Sequence, residues 1–208
     1  MLGAMVIDPW AAVDPVWRPC FELAWESFQV GSLAVGAVLV DGAGSIVSAG
    51  RNRRNEQPEI RGQLGGSSIA HAEINALAMV PISDYPDHVL YTTLEPCLLC
   101  TAATLVATVG RIEYAANDPF GGGCSGAIDT AHWRRSAPEI GPPLGGWPGQ
   151  LSGALQSAFW QTHPQQLRAG EIVEAFGDDA RRAGERVLEV DGSALRLEDA
   201  LPRLLDCL

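Results

Sequence analysis

Two short words constrain this chain more than anything else in it: His71-Ala72-Glu73 and Pro96-Cys97-Leu98-Leu99-Cys100, with 26 residues separating His71 from Cys97. Across them the sequence reads helix, strand, helix, so three metal-binding side chains have to converge from two helices that flank one strand. Cys97 and Cys100 stand three apart, which puts both thiols on one side of a helix. Pro96 suits a first helical position, where its missing amide hydrogen costs nothing. The positive end of the helix dipole favours thiolate over thiol, the form that binds zinc. His71, at the start of the preceding helix, supplies a third donor. Three protein ligands leave one tetrahedral position open, the arrangement of a catalytic and not a structural zinc site. Glu73 is read as a general acid/base and not as a ligand, because a carboxylate that shuttles protons must not hold the metal tightly. The expected cofactor is Zn2+, held by His71, Cys97 and Cys100.

The surrounding pattern supplies the frame. Cys20 to Val30 reads as an amphipathic helix, with Phe21, Ala24, Trp25 and Phe28 at helical spacing. Ala34 to Val40 and Ser45 to Ala49 read as two strands around Asp41-Gly42-Ala43-Gly44. Ile69 to Val80 reads as a helix stopped by Pro81, Val89 to Leu94 as a strand, Cys97 to Thr108 as a helix closed by Gly110, and Arg111 to Ala116 as a strand. Such alternation predicts a largely parallel or mixed sheet covered on both faces.

The pattern changes after residue 135. Pro138 to Gly149 reads as a linker or an extended wrap, Leu151 to Thr162 and Gln165 to Phe176 as helices, and Glu198 onward as a short helix. Val187 to Val190 and Ala194 to Leu197, flanking Asp191-Gly192, read as a hairpin. The chain therefore divides into a core, residues 16–135, and a mostly helical C-terminal extension, residues 136–208. The extension's apolar residues (Leu155, Phe159, Trp160, Leu167, Ile172, Val173, Phe176) are expected to pack on the core or on a second subunit, with part of Pro138 to Trp160 near the mouth of the site.

Charge limits the partners. The net charge is −11, from 25 acidic against 14 basic residues, and every basic residue is Arg. A surface that grips a polyanion would work against that field. No apolar run reaches the roughly 18 residues of a membrane span, and Met1 to Trp10 lacks the features of a signal peptide. With a C-x-x-C pair that points to metal before disulfide, the expectation is a soluble cytoplasmic protein.

The pattern His-x-Glu … Pro-Cys-x-x-Cys is that of zinc deaminases, and the stretch from about Val16 to Gly126 resembles the cytidine deaminase superfamily. Within it the resemblance is to the branch of guanine deaminases and tRNA adenosine deaminases. The matching words are Val35-Gly36-Ala37-Val38-Leu39-Val40, Gly50-Arg51-Asn52, His71-Ala72-Glu73-Ile74-Asn75-Ala76-Leu77, Leu90-Tyr91-Thr92-Thr93-Leu94-Glu95-Pro96-Cys97-Leu98-Leu99-Cys100 and Gly110-Arg111-Ile112. The resemblance implies a three-layer α/β/α fold with a five-stranded mixed sheet, homodimers, and Asn52 hydrogen-bonding the substrate. Main-chain groups around Ala70, Ala72 and Glu95 are expected at the base as well. Asp118 is assigned to the substrate side, although Asn117-Asp118-Pro119 also fits an ordinary turn. Two departures stand out. The loop Gln57 to Ile69 is longer than in the relatives and is expected at the mouth of the site, and the extension has no counterpart.

The leading functional reading is a hydrolytic deaminase of a free base or nucleoside (guanine, guanosine, cytosine or an analogue), with no membrane or nucleic-acid partner. One alternative is a tRNA adenosine deaminase, which needs a basic groove; Arg51, Arg53, Arg54 and Arg61 form either a phosphate patch or a solvated loop. The other is a non-catalytic partner subunit, against which the presence of Glu73 argues.

Overall fold

Five consecutive residues of one strand, Gly36–Val40 (β1), are all buried, so both faces of the sheet are covered at this point. The computed structural model describes residues 8–57, 61–124, 129–190 and 195–208. Helix α1 (Trp17–Gln29) leads into β1 and β2 (Ile46–Arg51), then α2 (Ala72–Leu77), β3 (Val89–Leu94), α3 (Leu98–Val106) and β4 (Arg111–Ala116). After these come α4 (Ala131–Ser136), β5 (Glu139–Ile140), α5 (Gly146–Thr162), α6 (Ala169–Val187) and α7 (Leu197–Leu205). The sheet order is β2-β1-β3-β4-β5, with β1 antiparallel to β2 and β3, and β3, β4 and β5 parallel. This is the mixed five-stranded α/β sheet that the resemblance implies.

Alternation along β1 sorts its side chains into two cores. Val38 and Val40 pack with Cys20, Phe21 and Trp25 of α1, and with Leu151, Leu155 and Leu201 of α5 and α7. Ala37 and Leu39 face the other way, against Ala72 and Ala76 of α2 and Leu90 of β3. Two glycines allow this closeness. A Cβ at Gly36 would stand 2.1 Å from the Cys20 carbonyl oxygen of α1, and one at Gly50 would stand 2.3 Å from the Ala76 nitrogen of α2.

The stretch read as a linker or a wrap is a wrap. Glu139–Ile140 extends the sheet as β5, pairing with Arg111 and Ile112, and α5 begins already at Gly146. Leu151 to Phe159 of α5 are buried without a break, because the helix is covered by the sheet on one side and α6 on the other. α6 and α5 meet at Gly184, where a Cβ would lie 2.8 Å from the Ala158 nitrogen. α6 runs on past Phe176, through a kink at Gly177 (φ 85°, ψ 171°), to Val187.

The hairpin expected near Asp191-Gly192 is corrected. Residues 191–194 lie outside the described residues, but Val187 closes α6 and Leu197 opens α7. Ala183, Gly184 and Val187 are buried at helical spacing, so the apolar signal there belongs to a helix face. α2 is also shorter than read, because His71 stays extended and the Ala70 carbonyl is taken by the Arg53 amide at 2.9 Å. Leu167, expected to be covered, is 87% exposed. No helix among the described residues is long and apolar enough to cross a membrane.

Gly50→Ala is expected to push α2 off β2 and cost about 1–3 kcal/mol of stability. Urea unfolding checks it, and an unchanged midpoint would mean that α2 is not in close contact there.

Candidate metal centre and active site

His71 caps the N-terminus of α2 and Cys97 caps that of α3, both with extended backbone (ψ 155° and 171°), so each side chain projects from a helix start. Pro96 therefore stands one residue before the cap and not at the first helical position, because Cys97 itself takes the cap. Cys100 follows in the first turn of α3. The fully buried Cys100 and the partly buried Cys97 and His71 bring their donor atoms within 4.8 Å of one another.

These separations test the fit to zinc. With Zn–S near 2.3 Å and Zn–N near 2.05 Å, a tetrahedral site requires edges of about 3.8 Å for S···S and about 3.6 Å for N···S. Cys97 Sγ and Cys100 Sγ are 3.6 Å apart, and His71 Nδ1 is 3.5 Å from Cys97 Sγ and 3.3 Å from Cys100 Sγ. The Cys100 thiol holds Cys97 down to about 4 against the effect of burial, and His71 adds to it. The donor set fits zinc.

The loop after β4 is stitched to this helix start. Glu95 accepts through its carboxylate from the Asp118 and Cys124 amides, both at 3.2 Å, and Gly123 donates to the Pro96 carbonyl at 2.8 Å. A Cβ at Gly122 would strike the Glu95 carboxylate at 2.4 Å, and one at Gly123 the Leu98 nitrogen at 2.3 Å. Gly121-Gly122-Gly123 is thus a close-approach segment, a role that the glycine run advertised and sequence reasoning passed over.

A cavity of about 250 Å³ opens on the donor cluster. His71, Cys97 and Glu73 lie in its wall; Glu73 is 4% exposed, and burial pushes its carboxyl pKa up, with His71 opposing. Asn52 lines it too, with its Oδ1 accepting from the Arg54 amide at 3.1 Å. Asp118 unites both of its readings: it lines the cavity, and its Oδ1 closes a turn by accepting from Phe120 and Gly121 at 3.0 and 2.8 Å. Glu95 lines the cavity, but its carboxylate is committed to the loop. Ala72 is fully buried at the first position of α2, behind the lining.

Leu33, Val35, Leu94, Phe120 and Gly121 of the core continue the wall, and the extension adds to it. Gln156 and Trp160 of α5 and Ile172 and Phe176 of α6 line the cavity. The loop expected at the mouth supplies none of the lining among its described residues; Gln63 and Leu64 are bound instead to the Ala49 carbonyl and to Asn75. A short polar loop can satisfy its backbone on the nearest strand and helix, and here Asn75 accepts from the Leu64 amide and donates to the carbonyls of Leu64 and Arg51. A larger hollow, about 450 Å³, adjoins across Phe176 but holds none of the donors.

The cytidine and deoxycytidylate deaminase zinc-binding region matches residues 14–116. The tRNA-specific adenosine deaminase of Bacillus subtilis is 35% identical over 156 residues, which cover 73% of this chain and 91% of that protein. The chain belongs to this deaminase family. The chain is also similar to the tRNA(Ile)-lysidine synthase of Deinococcus radiodurans, 31% identical over 173 residues, 78% of this chain but only 24% of that much longer protein. A solved structure from a study of tRNA:A34 deaminases superposes with a TM-score of 0.51 at 29% identity, over 60% of this chain and 94% of that one.

Metal analysis of the purified deaminase is expected to find about one zinc per chain, and Cys100→Ser to lose it, since three ligands leave no redundancy. Full zinc content in Cys100→Ser would exclude this donor set.

Proposed function

We propose that this deaminase hydrolyses the exocyclic amino group of a free base or nucleoside, releasing ammonia and leaving a carbonyl. The observation that carries the reading is the wall built by α5 and α6. Trp160, Ile172 and Phe176 reduce the site to about 250 Å³, below the usual range of roughly 300–1,000 Å³ for drug-sized ligands. That size suits a single base with little more.

In this reading His71, Cys97 and Cys100 hold zinc, which when bound supplies the Lewis acidity that makes water nucleophilic near neutral pH. Glu73 would take one proton from the attacking water and pass it to the ring nitrogen, then carry the proton of the new hydroxyl to the amino group, so that the C–N bond breaks, ammonia leaves and the carbonyl forms. Its burial inside the cavity wall supports that role, since no bulk water competes for the proton. Asn52 orients the base. Ala72 and Glu95 act through the helix start and the loop that frame it, and Asp118 faces the substrate.

The tRNA reading has the names of the relatives in its favour. Two of the four arginines near the site, Arg51 and Arg53, weigh against it. Arg51 pairs with Glu26 and Glu56, and the buried Arg53 with Glu56, so these cations are neutralised by carboxylates before any phosphate arrives. The free thiols of the described cysteines fit a reducing, cytoplasmic setting. Leu98, Leu99 and Val106 of α3 stay exposed, which supports a homodimer that covers them.

Two measurements test this. Wild-type protein is expected to release ammonia from at least one free base or nucleoside, and Glu73→Ala to keep zinc while losing about 10²–10⁴-fold in turnover. Efficient inosine formation in transcribed tRNA, with no turnover of any base or nucleoside, would overturn the small-substrate reading. Sedimentation equilibrium is expected to give a dimer that Val106→Glu weakens, whereas a wild-type monomer would remove the homodimer.

A further inference from the structure

Two carboxamides face the same cavity, and each has one end tied to the backbone. Asn52 Oδ1 accepts from the Arg54 amide, so its Nδ2 donors are the end left for a ligand. Gln156 shows the opposite arrangement: its Nε2 donates to the Ala34 carbonyl at 3.0 Å. Flipping that amide would set oxygen against oxygen, so the neighbouring carbonyl fixes which end faces inward. Gln156 is 1% exposed, lines the cavity, and among the described residues its Oε1 receives no hydrogen bond. Oε1 is therefore the end of the amide that is open to the cavity, and a ligand that leaves this acceptor unpaired on closing the site is disfavoured against one that brings an N–H to it.

The position of Gln156 explains how it is held. It lies on the stretch of α5 that is buried all round, one turn after Ser152, whose hydroxyl donates to the Thr93 carbonyl at 2.7 Å. α5 is thereby anchored to strand β3 and, through Gln156, to the backbone just before β1. The amide cannot swing away without breaking the bond to Ala34. The side chain is therefore preorganised and not adaptable.

We propose that Gln156 is a specificity-determining residue whose Oε1 accepts a hydrogen bond from an N–H of the base other than the amino group that is lost. The substrate class is then a heterocycle with both an acceptor for Asn52 and a ring or exocyclic N–H for Gln156. This rests on the base-deaminase reading above, but it concerns recognition and not the chemical step.

The test is equilibrium binding, followed by the fluorescence of Trp160 and its neighbours, on zinc-loaded protein. The probes are the free base turned over best in the ammonia screen and its analogues with one N–H replaced by C–H; if none is turned over, adenine, guanine and cytosine replace it. Wild type is expected to lose about tenfold or more in affinity for one such analogue, the size expected for a buried acceptor left unpaired. In Gln156→Met that same replacement is expected to cost less than threefold. Equal losses in wild type and Gln156→Met would overturn the proposal, leaving Gln156 a purely structural residue. Should Gln156→Met fail to fold, wild type alone decides: if every analogue binds within threefold of its parent, no N–H is being read. Intact binding discrimination without turnover of any base or nucleoside would overturn the deaminase reading and leave this proposal standing.

Discussion

Two helix starts meeting over the ends of neighbouring strands is the constraint from which the rest follows. His71 and Cys97 each cap a helix, and the donors converge only if α2 and α3 approach the sheet closely on the same face. Gly50 admits α2 to backbone contact with β2, and Gly123 lets the loop after β4 lie against Leu98. The Glu95 carboxylate, satisfying two amides of that loop, holds the assembly in register. The cavity then forms beyond the carboxyl ends of β3 and β4, where parallel strands leave a crevice. Backbone groups of short connections do the positioning, which suits a site whose side chains have to be left free for metal and substrate.

The sequence made the inner frame readable and the outer wall obscure, for a physical reason. β3 and β4 fall where their alternating and β-branched residues predict, since a strand between turns has few other options. α2 was read too long because its flanks have helical propensity, whereas His71 stays extended and the Ala70 carbonyl is bonded to the Arg53 amide outside any helix. β5 consists of two residues in a Pro/Gly-rich stretch, a segment too short for any periodicity to show. The donors were legible because metal chemistry fixes both residue type and spacing. Part of Pro138 to Trp160 was expected near the mouth, and Gln156 and Trp160 line the cavity, but they could not be picked out singly, since a buried helix carries no polar face from which to tell lining from core.

The extension has two jobs that are hard to separate. Its helices bury the continuous run Leu151 to Phe159, and they also supply four residues of the cavity wall. A wall built from a packed helix is rigid, in contrast to a loop that can open to admit a large substrate. Binding energy is then not spent on ordering the wall, and selection by size follows from the fold itself.

Charge carries the same argument inside the cavity. Zinc with two thiolates and a neutral imidazole contributes no net charge, because the thiolates cancel the ion. What remains in the lining is acidic: Glu73, Glu95 and Asp118, with no lysine or arginine among the lining residues. Burial raises the carboxyl pKa of Asp118 as well as that of Glu73, and neither group offers anything to a phosphate. Desolvating a phosphate monoester against such a wall carries a cost that no contact there repays. On this ground the proposed substrate is neutral, and a base or nucleoside is preferred over the corresponding nucleotide even where the ring is the same.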